Sequence, residues 1–386
     1  MIYLGNRRLP AIVLLLFLAA LFLLPHGFVT SAQKQTGQRP AKPKPATRTK
    51  ASPTPTPGPF DALGAPPPVP TLKQKEQEVT PGDVISVNTT EVMIPVTVRD
   101  SSGRLVNELK REDFRVFEND SQQPLSDLAL RQVPVDVVLM VDASSSVATN
   151  LDDFRRAAEG FAERLSADDR ISLIKFDDRI ELLQDWTKSR FQLQRALKRI
   201  EAGMFTRFND ALMLAAREQF GATKSRRAVI VLTDGIDSGR GTATLEAALQ
   251  ELLKAQVSVY VVSNTEISRT AKRSELDALM GSSDTQIRFN QIRIGDLREG
   301  LRVLDLSEQM LAQLTAATGG RLYKPQTFSG LEATYAEVAE ELRHQYALYY
   351  TPLNKARDGG FRRWRVEMTN PTYQSHTRVG YFAPKL

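Results

Sequence analysis

Three oxygen-bearing side chains stand at i, i+2 and i+4 in Asp142-Ala143-Ser144-Ser145-Ser146. One carboxylate and two hydroxyls in that spacing form a donor set suited to a hard divalent cation, which takes oxygen ligands. The cluster follows residues 137–141, a valine-rich apolar run with no polar interruption, as expected of a strand covered on both faces of a parallel sheet. Residues 150–165 behind it are amphipathic, with Asn150 placed as an N-cap and Asp153 in the first turn. The cluster is therefore expected at the carboxyl end of a strand and just before a helix, where open α/β sheets hold ligands. The bland alternative is that Ser144 and Ser146 merely cap that helix.

Two later stretches end in oxygen donors as well. Gly203-Met204-Phe205-Thr206 precedes Asn209-Asp210-Ala211-Leu212, which opens a helix, and Ala228-Val229-Ile230-Val231-Leu232-Thr233-Asp234-Gly235 runs from a strand into a loop. With Asp142-x-Ser144-x-Ser146 ahead of them, the three stretches resemble, in order, the metal-ion-dependent adhesion site of the von Willebrand factor A (VWFA) domain. The resemblance implies Mg²⁺, or Mn²⁺ or Ca²⁺ in its place, held by Asp142, Ser144, Ser146, Thr206 and Asp234. The serine hydroxyls would ligate directly, Thr206 directly or through water, and the two aspartates largely through water. It also implies a protein partner that presents an exposed Asp or Glu to the cation. Arg207 and Arg240 lie beside the threonine and aspartate loops, so a positive rim is expected to favour an anionic ligand. Without the metal, Asp234-Gly235 would be an ordinary turn.

Composition removes several function classes. The chain has no cysteine, which excludes a disulfide framework, a thiol nucleophile and a zinc–thiolate site. Its three histidines, His26, His344 and His376, are far from the motif in sequence and leave little material for a Ser–His hydrolase or a His-ligated zinc site. The net charge of +6 is misleading. Eight of the 51 basic residues (Arg7, Arg8, Lys34, Arg39, Lys42, Lys44, Arg48 and Lys50) precede residue 60, where no acidic residue occurs; the other 43 face 45 acidic ones. The folded part is near neutral and shows no basic cluster, so no nucleic-acid partner is expected.

The amino end carries Arg7-Arg8, an apolar run over 11–24 and Thr30-Ser31-Ala32, the layout of a secretory signal over residues 1–32. An uncleaved anchor is the alternative, although spanning takes about 20 apolar residues. Either way the chain is expected to be exported to the periplasm, cell envelope or medium. Residues 33–80 are rich in Pro, Lys, Thr and Ala and read as an extended tether, a spacer or a basic arm that touches anionic envelope material.

Residues 81–131 change to short strands over 84–87, 92–98 and 114–117, with Ser101-Ser102-Gly103 as a tight turn. Residues 132–345 alternate strand and helix, which predicts a doubly wound, mostly parallel α/β sheet, VWA/Rossmann-like in the resemblance. Within them Asp177-Asp178 reads as a solvated hairpin turn into a short antiparallel edge strand, and 264–306, polar and poorly periodic, as an insertion or mobile loop. Strands over 346–350, 363–368 and 377–382 close the chain at 346–386. Hairpins this small are marginal separately, so the flanking strands are expected to pair into one β-sandwich-like domain into which the α/β domain is inserted. Val98-Arg99-Asp100-Ser101-Ser102-Gly103, Glu112-Asp113-Phe114-Arg115-Val116-Phe117-Glu118-Asn119, Tyr346-Ala347-Leu348-Tyr349-Tyr350-Thr351-Pro352 and Gly380-Tyr381-Phe382-Ala383-Pro384 resemble segments of a bacterial family of exported VWFA-related proteins.

The expectation is a binding module for adhesion or assembly, and not an enzyme. A metal-dependent hydrolase would need a general base beside the cation, and the motif loops offer only Asp210 and Asp237, which also read as helix-start and turn residues. An envelope scaffold with a non-functional metal site is the third option.

Overall fold

A computed structural model of the chain describes residues 91–385 apart from 131–132, 146–149 and 221–224. The signal segment, the tether, the strand expected over 84–87 and Ser146 lie outside the described residues.

The chain enters through four strands, β1 (Val92–Arg99), β2 (Phe114–Glu118), β3 (Ser121–Gln123) and β4 (Leu125–Leu130). It then forms β5 (Val135–Asp142), buried at every position, followed by α1 (Leu151–Arg164), β6 (Arg170–Phe176) and β7 (Ile180–Thr187). Next come α2 (Arg190–Leu197), α3 (Phe208–Leu214) with a π-helical end over Ala215–Gln219, β8 (Arg226–Thr233), α4 (Leu245–Lys254) and β9 (Ser258–Ser263). Three helices, α5 (Thr265–Met280), α6 (Asp284–Phe289) and α7 (Gln291–Thr318), precede β10 (Leu322–Tyr323) and α8 (Leu331–Arg343). The chain closes with β11 (Tyr346–Tyr350), β12 (Phe361–Met368), β13 (Gln374–His376) and β14 (Gly380–Phe382).

The central sheet has the order β10-β9-β8-β5-β6-β7 and is parallel except for the edge strand β7. Successive residues of a strand face opposite sides, and β5 feeds two cores in this way. Val137, Leu139 and Val141 pack with Phe154 and Phe161 of α1 and Tyr335 of α8. Val138 and Met140 pack with Phe208 and Leu212 of α3 and Leu311 and Leu314 of α7. The fold is a doubly wound α/β layer, and each such side chain contributes about 1.5–3 kcal/mol of burial. From β5 the chain winds outward through β6 and later, in the other direction, through β8 and β9. The switch between β5 and β8 opens a crevice at their carboxyl ends.

Residues 264–306, read from the sequence as an insertion or mobile loop, are mostly helical instead. Ile294, Leu297, Leu301 and Leu304 recur at intervals of three and four along one side of α7, and Ile294, Leu297 and Leu304 are buried. Arg269 of α5 ties the pair, with Nη2 at 2.7 Å from Glu308 and 3.0 Å from Asp305. Only one side of each helix is covered, so the average composition is polar and the periodicity was hidden.

The flanking strands interleave. One antiparallel sheet has the order β13-β1-β11-β4 and the other β14-β12-β2-β3, so each sheet mixes strands from before and after the α/β layer. Among the described residues there are four strands on each side, where the sequence pattern gave three. Ile94, Val96, Val116, Leu348 and Trp364 fill the space between the sheets. At its centre the Glu118 carboxylate accepts hydrogen bonds from Tyr350 Oη (2.6 Å), Tyr381 Oη (3.0 Å) and Arg362 Nη1 (3.2 Å).

Candidate metal site

Asp142 is the last residue of β5 and is fully buried. Its Oδ1 accepts the backbone N–H of Ser144 at 2.9 Å, which folds the loop back over the strand end, and its Oδ2 accepts the Thr233 hydroxyl at 2.7 Å. Thr233 closes β8 and its Oγ1 in turn accepts the Gly235 N–H at 2.9 Å, so neighbouring strand ends are joined through one hydroxyl. Asp234 is buried beside them, its Oδ1 accepting the Ile236 N–H at 3.1 Å. Burial, and then the Asp234 charge, push the Asp142 carboxyl up to about 6, against the pull of the Ser144 and Thr233 hydrogen bonds.

The threonine loop is fastened to the same edge. The N–H of Gly203 donates to Ala143 O at 2.8 Å, and Ala143 N–H to Phe176 O at 2.9 Å, which links the 203–206 loop, the 142–145 loop and the end of β6. Thr206 and Ser238 exchange two bonds, Thr206 N–H to Ser238 Oγ and Ser238 N–H to Thr206 O, both 2.9 Å. Asp142, Ser144, Thr206 and Asp234 are thus gathered on three loops at the switch point. Ser146, the fifth sequence candidate, lies outside the described residues.

The two rim arginines are differently placed. Arg207 donates from Nε (2.9 Å) and Nη2 (2.6 Å) to Asp210. Arg240 is exposed and lies over the Phe205 ring at 3.5 Å from its centroid. Asp210 also accepts from the N–H groups of Thr242 (3.0 Å) and Ala243 (2.8 Å). Burial pushes the Asp210 carboxyl up, but Arg207 and these N–H groups outweigh it and hold it below the usual carboxylate range. Asp237 caps α3 by accepting from Asn209 N–H at 3.0 Å and fixes its own turn through Gly239 N–H at 2.8 Å.

The residues fit a hard divalent cation. Two carboxylates in a water-poor crevice repel each other, a repulsion that a cation relieves, and neutral hydroxyls complete the set with oxygen donors only.

The family model for the von Willebrand factor type A domain matches residues 137–236. That stretch is similar to a von Willebrand factor type A domain. The match contains all five sequence candidates. An uncharacterised protein of Synechocystis is 29% identical over 109 residues, 27% of this chain and 26% of that protein. A von Willebrand factor type A structure from Catenulispora acidiphila has a TM-score of 0.42 at 12% identity, covering 70% of this chain and 62% of that one. Proximal thread matrix protein 1 of the mussel byssus, solved with a zinc-occupied MIDAS motif, has a TM-score of 0.39 at 16% identity, covering 57% and 48%. The chain spans about a quarter of the length of the curated relative and about half of the first solved structures it matches.

Several residues that shape this site were not picked out from the sequence. Thr233 was adjacent to the motif and legible as a strand-end hydroxyl. Ser307 of α7 donates its hydroxyl to the Asp234 carbonyl from 73 positions away, with no local signal. The Asp177-Asp178 turn is not simply solvated: Asp177 is buried and 2.7 Å from Lys175 Nζ, while Asp178 accepts the Met204 N–H at 3.0 Å. A Cβ on Gly203 would fall 2.5 Å from the Asp177 carboxylate, so glycine is what lets the threonine loop pass. No helix among the described residues is long and apolar enough to cross a membrane.

Proposed function

We propose that the chain is an exported binding protein that captures a protein partner through a divalent cation, Mg²⁺ first among them, at Asp142, Ser144, Ser146, Thr206 and Asp234. The observation that carries this is the buried pairing of Asp142 with Asp234 at the β5–β8 switch, each carboxylate pinned by backbone N–H groups of its own loop. These residues would hold the cation, which would supply a hard positive charge for an acidic side chain of the partner. The chain's own residues do the rest: Asp142 and Asp234 supply charge, Thr233 and Ser238 hold the loops, and the rim selects the ligand. Since Arg207 is committed to Asp210, the steering charge rests on Arg240. Met204, 71% exposed next to the threonine loop, adds an apolar contact.

A binding role is favoured over hydrolysis because both spare acids are engaged. Asp210 accepts from Arg207 and two N–H groups, and Asp237 from two N–H groups. Export rests on the sequence of residues 1–32. The test is partner capture from an envelope fraction followed by affinity measurement against Mg²⁺ concentration, for wild type and Asp234→Ala. Affinity that rises with Mg²⁺ and is lost in the variant is expected. Equal, EDTA-insensitive binding by both would leave the domain as a scaffold.

A further inference from the structure

At the amino ends of β8 and β9, the sheet edge opposite the candidate metal site, a cleft of about 960 Å³ opens between the α/β layer and the β-sandwich. Its lining includes Arg226, Arg227, Arg378 and Lys254, with Tyr349 and Phe382 among its apolar walls. Arg226 and Arg378 are both buried. Among the described residues neither is in an ion pair: Arg226 donates to the carbonyls of Val133 (3.0 Å) and Leu342 (2.7 Å), and Arg378 to those of Gln256 and Met93. The Nε of Arg378 is buried and has no hydrogen-bond partner. Among the described residues the one acid on the lining, Glu91, is exposed and accepts from Ser126.

Buried guanidinium groups are ordinarily matched by carboxylates, because an uncompensated charge in a dry site is costly. Here backbone carbonyls and the face of Trp364, 5.4 Å from the Arg378 guanidinium, are what the described residues supply. Burial, and then the neighbouring Arg227, lower the Arg378 pKa to about 9, the sign of a cation short of negative charge. The volume falls in the range of small-molecule sites, which favour domain interfaces and combine apolar walls with a few convergent polar groups.

We propose that this cleft binds an organic anion, a phosphate or carboxylate group carried on an apolar or aromatic body. The anion lies against Arg227 and Arg378, and the body against Tyr349 and Phe382. The site is independent of the metal site and works with EDTA present.

The test is calorimetric titration of the full chain in EDTA at constant ionic strength, with inorganic phosphate, phenyl phosphate and benzoate as probes. Phenyl phosphate is expected to saturate one site and to bind more tightly than inorganic phosphate; benzoate against phenyl phosphate reports which head group is preferred. Arg227→Gln, which leaves the two buried arginines in place, should weaken the preferred probe by about tenfold or more, the worth of a charge-assisted hydrogen bond. Arg378→Met should weaken it as well, with circular dichroism as the check on its fold. Absence of saturable binding by all three probes, or unchanged binding in Arg227→Gln, would overturn the proposal.

Discussion

The hydroxyl of Ser307 donates to the main-chain carbonyl of Asp234, joining α7 to the loop that carries one of the two site carboxylates. Asp234 is therefore positioned from two sides, by the end of β8 and by α7. Ser307→Ala would leave a buried carbonyl without this partner, at about 1–3 kcal/mol. The expected outcome is a drop of that size in urea unfolding together with weaker Mg²⁺ binding. A variant with wild-type Mg²⁺ affinity would show that the helix does not set the loop.

Gly235 adopts φ +71°, and a Cβ there would sit 2.7 Å from Leu311 and from the Ser307 hydroxyl. Gly235→Ala combines the left-handed backbone cost of about 1–2 kcal/mol with a clash against α7. Destabilisation above that range, with the aspartate loop displaced, is expected in thermal unfolding; Gly239→Ala, also at positive φ but in open space, should cost only the backbone part.

The Asp142 carboxyl, pushed up to about 6 from 3.8, makes metal-free stability depend on pH. Between those values the folded chain keeps a proton that the unfolded chain has released. The contribution is therefore complete below about pH 4 and is lost as pH rises through 6, on the order of 3 kcal/mol in all. In EDTA, Asp142→Asn should flatten this part of the stability profile. Mg²⁺ should act in the opposite sense, stabilising the wild type above pH 6 and binding more weakly below it. Identical profiles for wild type and Asp142→Asn would refute this assignment.

Glu118 is the buried acceptor for Tyr350, Tyr381 and Arg362, which come from three strands of the closing segment. Glu118→Ala leaves Arg362 without its buried carboxylate and should cost about 3–5 kcal/mol. Chemical unfolding would register this, and a loss below 1 kcal/mol would mean that solvent reaches Arg362.

A chain ending at His344 would remove both neighbours of β1, since Val92–Val96 pair with β11 and Thr97–Arg99 with β13. Amide exchange over Val92–Arg99 should become fast in the truncated chain while β5 and β8 stay protected. Retained protection of β1 would show that the amino-terminal strands stand alone.

How much of this was legible follows from where each interaction lies along the chain. Residues 137–141 and 228–232 announce buried parallel strands by unbroken apolar runs, and the oxygen donors at their ends follow immediately, so the strand, loop and donor set of Asp142 and Asp234 could be read locally. The α/β alternation likewise exposed the doubly wound sheet through its periodicity. What the sequence alone could not decide depends on contacts between distant residues. Arg207 stood beside a motif and promised rim charge, but the fold places Asp210 against it, and three residues of spacing on a forming helix did not reveal that the carboxylate would also be anchored by Thr242 and Ala243. Residues 264–306 concealed α5, α6 and the start of α7, because α6 buries no residue and α5 and α7 bury few along this stretch. The Ser307–Asp234 bond, the interleaving of β1 with β11 and β13, and the arginine cleft have no local pattern at all: hydrogen-bond donors and charges acquire their partners only when the chain has packed, and nothing in a neighbouring residue records that choice.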